Sequence, residues 1–135
     1  MTEDDYPYLY NMEECMFKKD KVVMTDAGHA MLPTKDETNL KEVVAKFGPV
    51  PVGLHCTQNL YDYKSGVLVD KSCKSGAQYL NHGVLIVGYG TDPKQGDYWI
   101  VKNSWSTDWG DKGYFKIARG INKCGIALFP SIPKF

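Results

Sequence analysis

Apolar residues along this chain come in short runs, and the spacing within a run changes from one stretch to the next. Leu40, Val43, Val44 and Phe47 fall at i, i+3, i+4 and i+7, which predicts one apolar face of a short helix. Thr34 and Glu37 stand at capping-box spacing ahead of it, and Gly48-Pro49 ends it. Val50 to Leu54 reads as a strand, with Pro51 marking an edge or an irregular start. Lys64-Ser65-Gly66 is a turn. Val84 to Val87 is rich in β-branched residues and apolar on both faces, which predicts a central strand. The polar stretch Asp92 to Asp97 is a turn, and Tyr98 to Lys102 beyond it pairs back as a hairpin. Gly113 to Ala118 alternates and supplies a third strand.

Residues 1–35 show no helical period. They are polar and aromatic, and Pro7, Gly28 and Pro33 break any regular element. This segment reads as extended chain laid on a surface. Glycines at 83, 88, 90, 110, 113, 120 and 125 suit tight bends in a curved sheet. The pattern predicts an α+β fold: a twisted, barrel-like antiparallel sheet with one or two short helices, in a single domain over residues 1–135.

Composition narrows the function. The 135 residues carry 16 basic and 16 acidic side chains, so no net charge steers the chain to nucleic acid or to an anionic membrane. A hydrophobic content of 43% argues against disorder. The longest apolar runs are far too short to span a bilayer, and no basic start followed by an apolar stretch marks a secretory signal within these residues. The four cysteines, Cys15, Cys56, Cys73 and Cys124, include no C-x-x-C pair, and the three histidines are scattered. That spacing argues against a structural zinc site; no metal and no cofactor are expected. Disulfides or buried thiols are the remaining readings.

The chemistry concentrates in two stretches. Asn81-His82-Gly83-Val84-Leu85 sets a histidine at the entry to an apolar strand, and Lys102-Asn103-Ser104-Trp105 sets an asparagine at the exit of another. A histidine oriented by an asparagine is two-thirds of a Cys-His-Asn catalytic apparatus. His82 taken alone reads as a core histidine; with Asn103 and Trp105 in context it reads as catalytic. His29 and His55 read as surface residues.

With these residues in place the chain resembles the C-terminal half of a papain-like cysteine protease, close to the cathepsin L group. The resemblance rests on Asn81 to Leu85, Gly88-Tyr89-Gly90, Tyr98 to Trp105, Trp109-Gly110, Gly113-Tyr114 and Cys124 to Ala127, with Tyr6-Pro7-Tyr8 and Gly48-Pro49-Val50 upstream. It implies a fold of two halves with substrate in the cleft between them. A helical half carries the nucleophilic cysteine, and a barrel-like half carries the histidine and asparagine. The family's cysteine lies roughly 130–150 residues ahead of its partners, about 50–70 residues before Met1 when counted back from His82. The resemblance therefore implies the histidine-bearing half alone.

It also implies roles. His82 is the general base and later the proton donor to the leaving amine. Asn103 orients the ring through its side-chain oxygen, Trp105 covers that bond from water, and Trp109 borders the leaving-group side of the cleft. Gly53, Leu80, Asn81, Gly83 and Phe129 fall at substrate-binding positions. Phe129 either floors a shallow apolar pocket suited to smaller aliphatic side chains or packs in the core. Cys73 and Cys124 match the family's disulfide, worth roughly 4 kcal/mol in the chain-entropy picture. Cys15 matches a cysteine whose partner lies in the other half and is expected as a free thiol. Cys56 is either a buried small apolar side chain or a partner for Cys15. Ser106 stands where the family has glycine, and costs about 1 kcal/mol if its φ is positive.

The function expected is cysteine-type endopeptidase by family, with the chain inactive alone for want of a nucleophile. The alternative is a non-catalytic pseudoenzyme or binding module on the protease scaffold. The partners implied are a peptide or protein substrate, the missing N-terminal half and cystatin-like inhibitors, with no nucleic acid and no membrane. The intact parent is expected to be lysosomal or extracellular.

Overall fold

The computed structural model describes residues 1–134. They form two compact units, Met1–His29 with the C-terminal residues from Pro133, and Ala30–Ile132. In chain order the elements are β1 (His29–Met31), α1 (Glu37–Phe47), β2 (Val50–Leu54), α2 (Gln58–Tyr61), β3 (Val67–Leu68), β4 (His82–Asp92), β5 (Gly96–Lys102), β6 (Tyr114–Ala118) and β7 (Ser131–Pro133). Single 3-10 turns lie at Lys19–Lys21, Ala77–Tyr79 and Lys123–Gly125.

The first unit is mostly irregular, extended chain, as its broken pattern predicts. It is held by local polar contacts. Lys21 forms an ion pair with Asp5, the N-terminal amine donates to the Lys21 carbonyl at 3.2 Å, and the Met16 N–H donates to the Tyr6 hydroxyl at 3.3 Å. Tyr10, Met12 and Val23 stand almost fully exposed.

The second unit is built on a five-stranded sheet in the order β2-β4-β5-β6-β3. β4 pairs antiparallel with β2 and with β5, which makes it central, and β5 pairs antiparallel with β6. β2 lies at an edge, where Pro51 removes no inner ladder bond. Two features depart from the sequence reading. The sheet is open and ends in β2 and β3, and β3 runs parallel to β6. A two-residue strand carries no period to read.

The core follows the two periods. Leu40, Val43 and Val44 of α1 pack with Val50, Val52 and Leu54 of β2, Val84 and Ile86 of β4, Trp99 and Val101 of β5, and Phe115 and Ile117 of β6. Burying each aliphatic side chain stabilises by about 1.5–3 kcal/mol. Phe47 was expected on this face but is 72% exposed. It is the last helical residue, and Gly48, at φ 94°, turns the chain away behind it.

The start of α1 also differs from expectation. Its cap is Asp36, whose carboxylate accepts the Asn39 N–H at 2.8 Å. Thr34 instead donates its hydroxyl to the Leu128 carbonyl at 3.0 Å. Glu37, freed from capping, points inward and is buried. Its carboxylate accepts the Trp99 indole N–H at 2.7 Å, the Gly120 N–H at 2.8 Å and the Asn122 N–H at 2.5 Å. One side chain thus ties α1 to β5 and to the loop that carries Cys124.

Asp70 is a second buried acid. It accepts from the Thr57 hydroxyl, from Asn59 Nδ2 at 2.8 Å, and from the Ser72 N–H and hydroxyl, both at 2.7 Å. Burial works against its charge, but these donors outweigh burial and hold the carboxyl well below its usual range. A depressed carboxyl stabilises fully above its unfolded value of about 3.9 and loses that contribution only as pH falls further. The network fixes the segment before Cys73, which is joined to Cys124 by a disulfide across 51 residues. The donor atoms of Asp70, Cys73 and Cys124 lie within 4.8 Å of one another, but the two sulfurs are spent on each other and present no thiolate to a cation.

Glu37→Ala removes the shared acceptor and leaves the Trp99 N–H buried without a partner. It should lower the unfolding free energy by about 2–4 kcal/mol. Phe47→Ala should stay within about 0.5 kcal/mol, because that ring is already in water. Urea midpoints at constant m-value decide both.

Candidate active site

β4 begins at His82, and β5 ends at Lys102, one residue before Asn103. The strands are antiparallel, with Leu85 opposite Lys102, so the start of one and the exit of the other lie at the same end of the hairpin. His82 Nε2 lies 2.9 Å from Asn103 Oδ1. The same oxygen accepts the Ser104 N–H at 2.8 Å. A main-chain N–H can only donate, so the amide atom facing both groups is the oxygen. Nε2 therefore carries the ring proton, and Nδ1 is left as the lone-pair nitrogen. The Asn103 main chain is anchored in turn, its N–H donating to the Gly113 carbonyl at 2.9 Å.

Asn103 is only 9% exposed, and its Nδ2 is buried without a partner among the described residues. Such a donor costs free energy. The orientation of the imidazole is therefore held at some expense to stability.

A series of aromatic rings leads outward from His82. Trp105 stacks on His82 with centroids 4.9 Å apart and planes at 25°. Tyr61 stacks on Trp105 at 4.6 Å and 5°. Trp109 meets Trp105 edge-on at 5.0 Å, and its indole N–H donates to the Tyr61 carbonyl at 3.0 Å. The loop that carries both tryptophans turns on Gly110, at φ 59°, where a Cβ would come within 2.8 Å of the Tyr114 carbonyl oxygen. Ser106 in that loop has φ 66°, a conformation that an L side chain adopts at a cost.

Of the other sequence-derived positions, Gly53, Gly83 and Leu80 lie together. Gly53 and Gly83 face each other across β2 and β4. Leu80 Cδ1 lies 3.3 Å from where a Cβ on Gly53 would stand. Phe129 is 49% exposed, so it is not a core residue. Asn81 is committed to the backbone: Oδ1 accepts the Cys56 N–H at 2.7 Å, and Nδ2 donates to the Cys56 carbonyl at 3.2 Å. This pair of hydrogen bonds to one residue extends the β2–β4 pairing past its last residue. Pro51, Gly83, Val84, Lys102, Asn103 and Ser104 line a shallow groove of about 320 Å³.

Of the cysteines, Cys15 is exposed and free, and Cys56 is buried and free. Burial pushes the Cys56 thiol up, an effect that the neighbouring Tyr61 side chain only partly offsets. A raised thiol stays protonated and is a poor nucleophile. His55 accepts the Lys74 N–H on Nδ1 at 2.8 Å and is not part of the site. Tyr61 was not anticipated from the sequence. It sits on a four-residue helix with no period, and the only signal was an aromatic residue a few positions after Thr57.

A family model described as papain family cysteine protease matches residues 1–134. A cathepsin L-like protein of Caenorhabditis elegans is 47% identical over 134 residues, which cover 98% of this chain and 39% of that protein. Cathepsin L of Sarcophaga peregrina is 45% identical over 134 residues, with the same coverage of 98% and 39%. The solved structure of digestive procathepsin L 3 from Tenebrio molitor larval midgut superposes with a TM-score of 0.92 at 43% identity, covering 100% of this chain and 44% of that one. The chain thus spans about two-fifths of the length of the curated relatives it matches.

The left-handed backbone at Ser106 gives a local test. Ser106→Gly should raise stability by about 1 kcal/mol by relieving the Cβ strain. Thermal melts of the two proteins measure it, and an unchanged or lower midpoint would show that the Ser106 side chain compensates for its own strain.

Proposed function

The chain belongs to the papain family of cysteine proteases, and on that premise we propose that it contributes the general base and its orienting amide to a cysteine-type endopeptidase. The observation that carries this reading is the 2.9 Å bond between His82 Nε2 and Asn103 Oδ1. It leaves Nδ1 as the free basic nitrogen. The nucleophile comes from sequence outside these 135 residues, because none of the four cysteines suits the role. Two are joined in a disulfide, one is buried with its thiol pushed up, and Cys15 matches a family cysteine that pairs with the other half.

The steps follow from the tautomer. Nδ1 takes the thiol proton and gives a thiolate–imidazolium pair. The thiolate adds to the scissile carbonyl, and the imidazolium returns its proton to the leaving amine as the C–N bond breaks. Nδ1 then deprotonates the water that releases the acyl group. Throughout, Asn103 accepts from Nε2–H and keeps the ring plane fixed without adding a charge. Trp105 keeps water from that bond, which strengthens it.

Gly53, Leu80, Gly83 and the half-exposed Phe129 form the main specificity pocket. Two glycines leave its walls open, and Phe129 makes it shallow and apolar, suited to smaller aliphatic side chains. A disulfide across the unit fits an oxidising compartment, in keeping with a lysosomal or secreted parent.

Residues 1–135 made alone should leave a dipeptidyl fluorogenic substrate uncleaved at mildly acidic pH with a reductant present. Mixed with the separately produced N-terminal half of a relative, they should restore turnover. His82→Ala in that complex should lower kcat by several powers of ten with little loss of association. Turnover by the lone chain, abolished by Cys56→Ser and by an epoxide-type thiol-protease inhibitor, would overturn the reading. Association without turnover would favour a binding module.

In the restored enzyme, Phe129→Ala should raise kcat/KM for a large aromatic side chain relative to a small aliphatic one by roughly tenfold. An unchanged ratio would place the pocket elsewhere.

A further inference from the structure

We propose that Tyr61 is a positioning residue for the catalytic imidazole, acting through Trp105. The inference rests on reading His82 as the base. Its ground is that one residue holds both tryptophans of the 104–110 loop. The Tyr61 ring lies flat on Trp105 at 4.6 Å and 5°, and the Tyr61 carbonyl accepts the Trp109 indole N–H at 3.0 Å. Trp109 in turn sets its edge against Trp105 at 5.0 Å and 85°. The indole of Trp105 is thereby held on its face and at its edge by contacts that start from α2.

That restraint matters because of where Trp105 sits. Its own loop is a weak support: it includes Ser106 at φ 66°, Gly110 at φ 59° and Gly113 at φ 90°, and Trp105 is only partly buried. The indole is nonetheless the ring against which His82 is stacked, 4.9 Å away. Without Tyr61 it gains rotational freedom, and water gains access to the Nε2–H···Oδ1 bond. Tyr61 itself is 55% exposed. The ring face makes the contact with Trp105, while the side chain's hydrogen bond goes to Cys56.

The test uses the 135-residue chain itself and does not need the nucleophile. Ring nitrogen chemical shifts of ¹⁵N-labelled His82 report its tautomer, and exchange of the Nε2 proton reports the cover over its bond. Wild type and Tyr61→Phe should show a single Nε2–H tautomer, slow exchange and an upfield ring-current shift from Trp105. Tyr61→Ala should speed exchange by about two- to tenfold, the value of one aromatic stack, and should lose the upfield shift, with the Cys73–Cys124 disulfide and the amide spectrum of the core unchanged. If Tyr61→Ala does not hold the fold, Tyr61→Leu, which keeps bulk and loses the π face, carries the same comparison. Identical His82 signals in the wild type and in the alanine or leucine variant would overturn the proposal and leave the peptidase reading standing. Tyr61→Phe behaving like Tyr61→Ala would also overturn it. A wild-type His82 without a proton on Nε2 would instead overturn the assignment of the base.

Discussion

β4 and β5 run antiparallel out of the turn between Asp92 and Gly96, and that pairing sets the site. A hairpin returns its last residue to the level of its first. The entry to β4 and the exit of β5 therefore meet, and the residues there need only suitable side chains to interact. His82 lies at the first position and Asn103 just past the last. A slip of one residue in this register would turn every side chain of one strand to the other face. Trp99 and Val101, fully buried on β5, would then face water. The core thus protects the geometry of the site: the burial energy of the hairpin penalises any pairing that separates the histidine from the asparagine.

Polar anchors finish what the hairpin starts. Glu37 joins the start of α1 to Trp99 and to the loop around Asn122, while Asp70 gathers Thr57, Asn59 and Ser72. Each carboxylate is buried without a cation and is satisfied by N–H and O–H donors instead. Such a group fixes orientation strictly, because every lost donor leaves a desolvated charge less compensated. The two anchors brace the two ends of the Cys73–Cys124 disulfide, one from each side.

The parts legible in the sequence were those in which local pattern and local structure coincide. α1, β2, the β4–β5 hairpin and β6 each carry a period long enough to read, and His82 and Asn103 stand at strand ends that the pattern marks. The misreadings have a common origin in distant partners. Thr34 and Glu37 have the right spacing for a capping box, but Glu37 finds stronger demand for its carboxylate 62 and 85 residues away, at Trp99 and Asn122. Asp36 then serves as the cap. The parallel pairing of β3 with β6 involves two residues, and side-chain alternation does not report strand direction. Tyr61 lies on a single turn of helix, too short for any period, and its importance comes from Trp105 and Trp109, more than 40 residues on.

The choice of asparagine as the orienting residue has a consequence for how the site is built. A carboxylate in its place would hold a protonated ring electrostatically and would tolerate looser surroundings. An amide offers only a neutral hydrogen bond, modest in water and stronger where water is excluded. The geometry must therefore be enforced by packing. This accounts for the ring of Trp105 against His82, for an Asn103 so buried that its Nδ2 has no partner among the described residues, and for a loop that keeps a left-handed serine at position 106 beside Trp105. A neutral orienting group thus depends on the hairpin and on the loop that carries Trp105 to keep the ring in place.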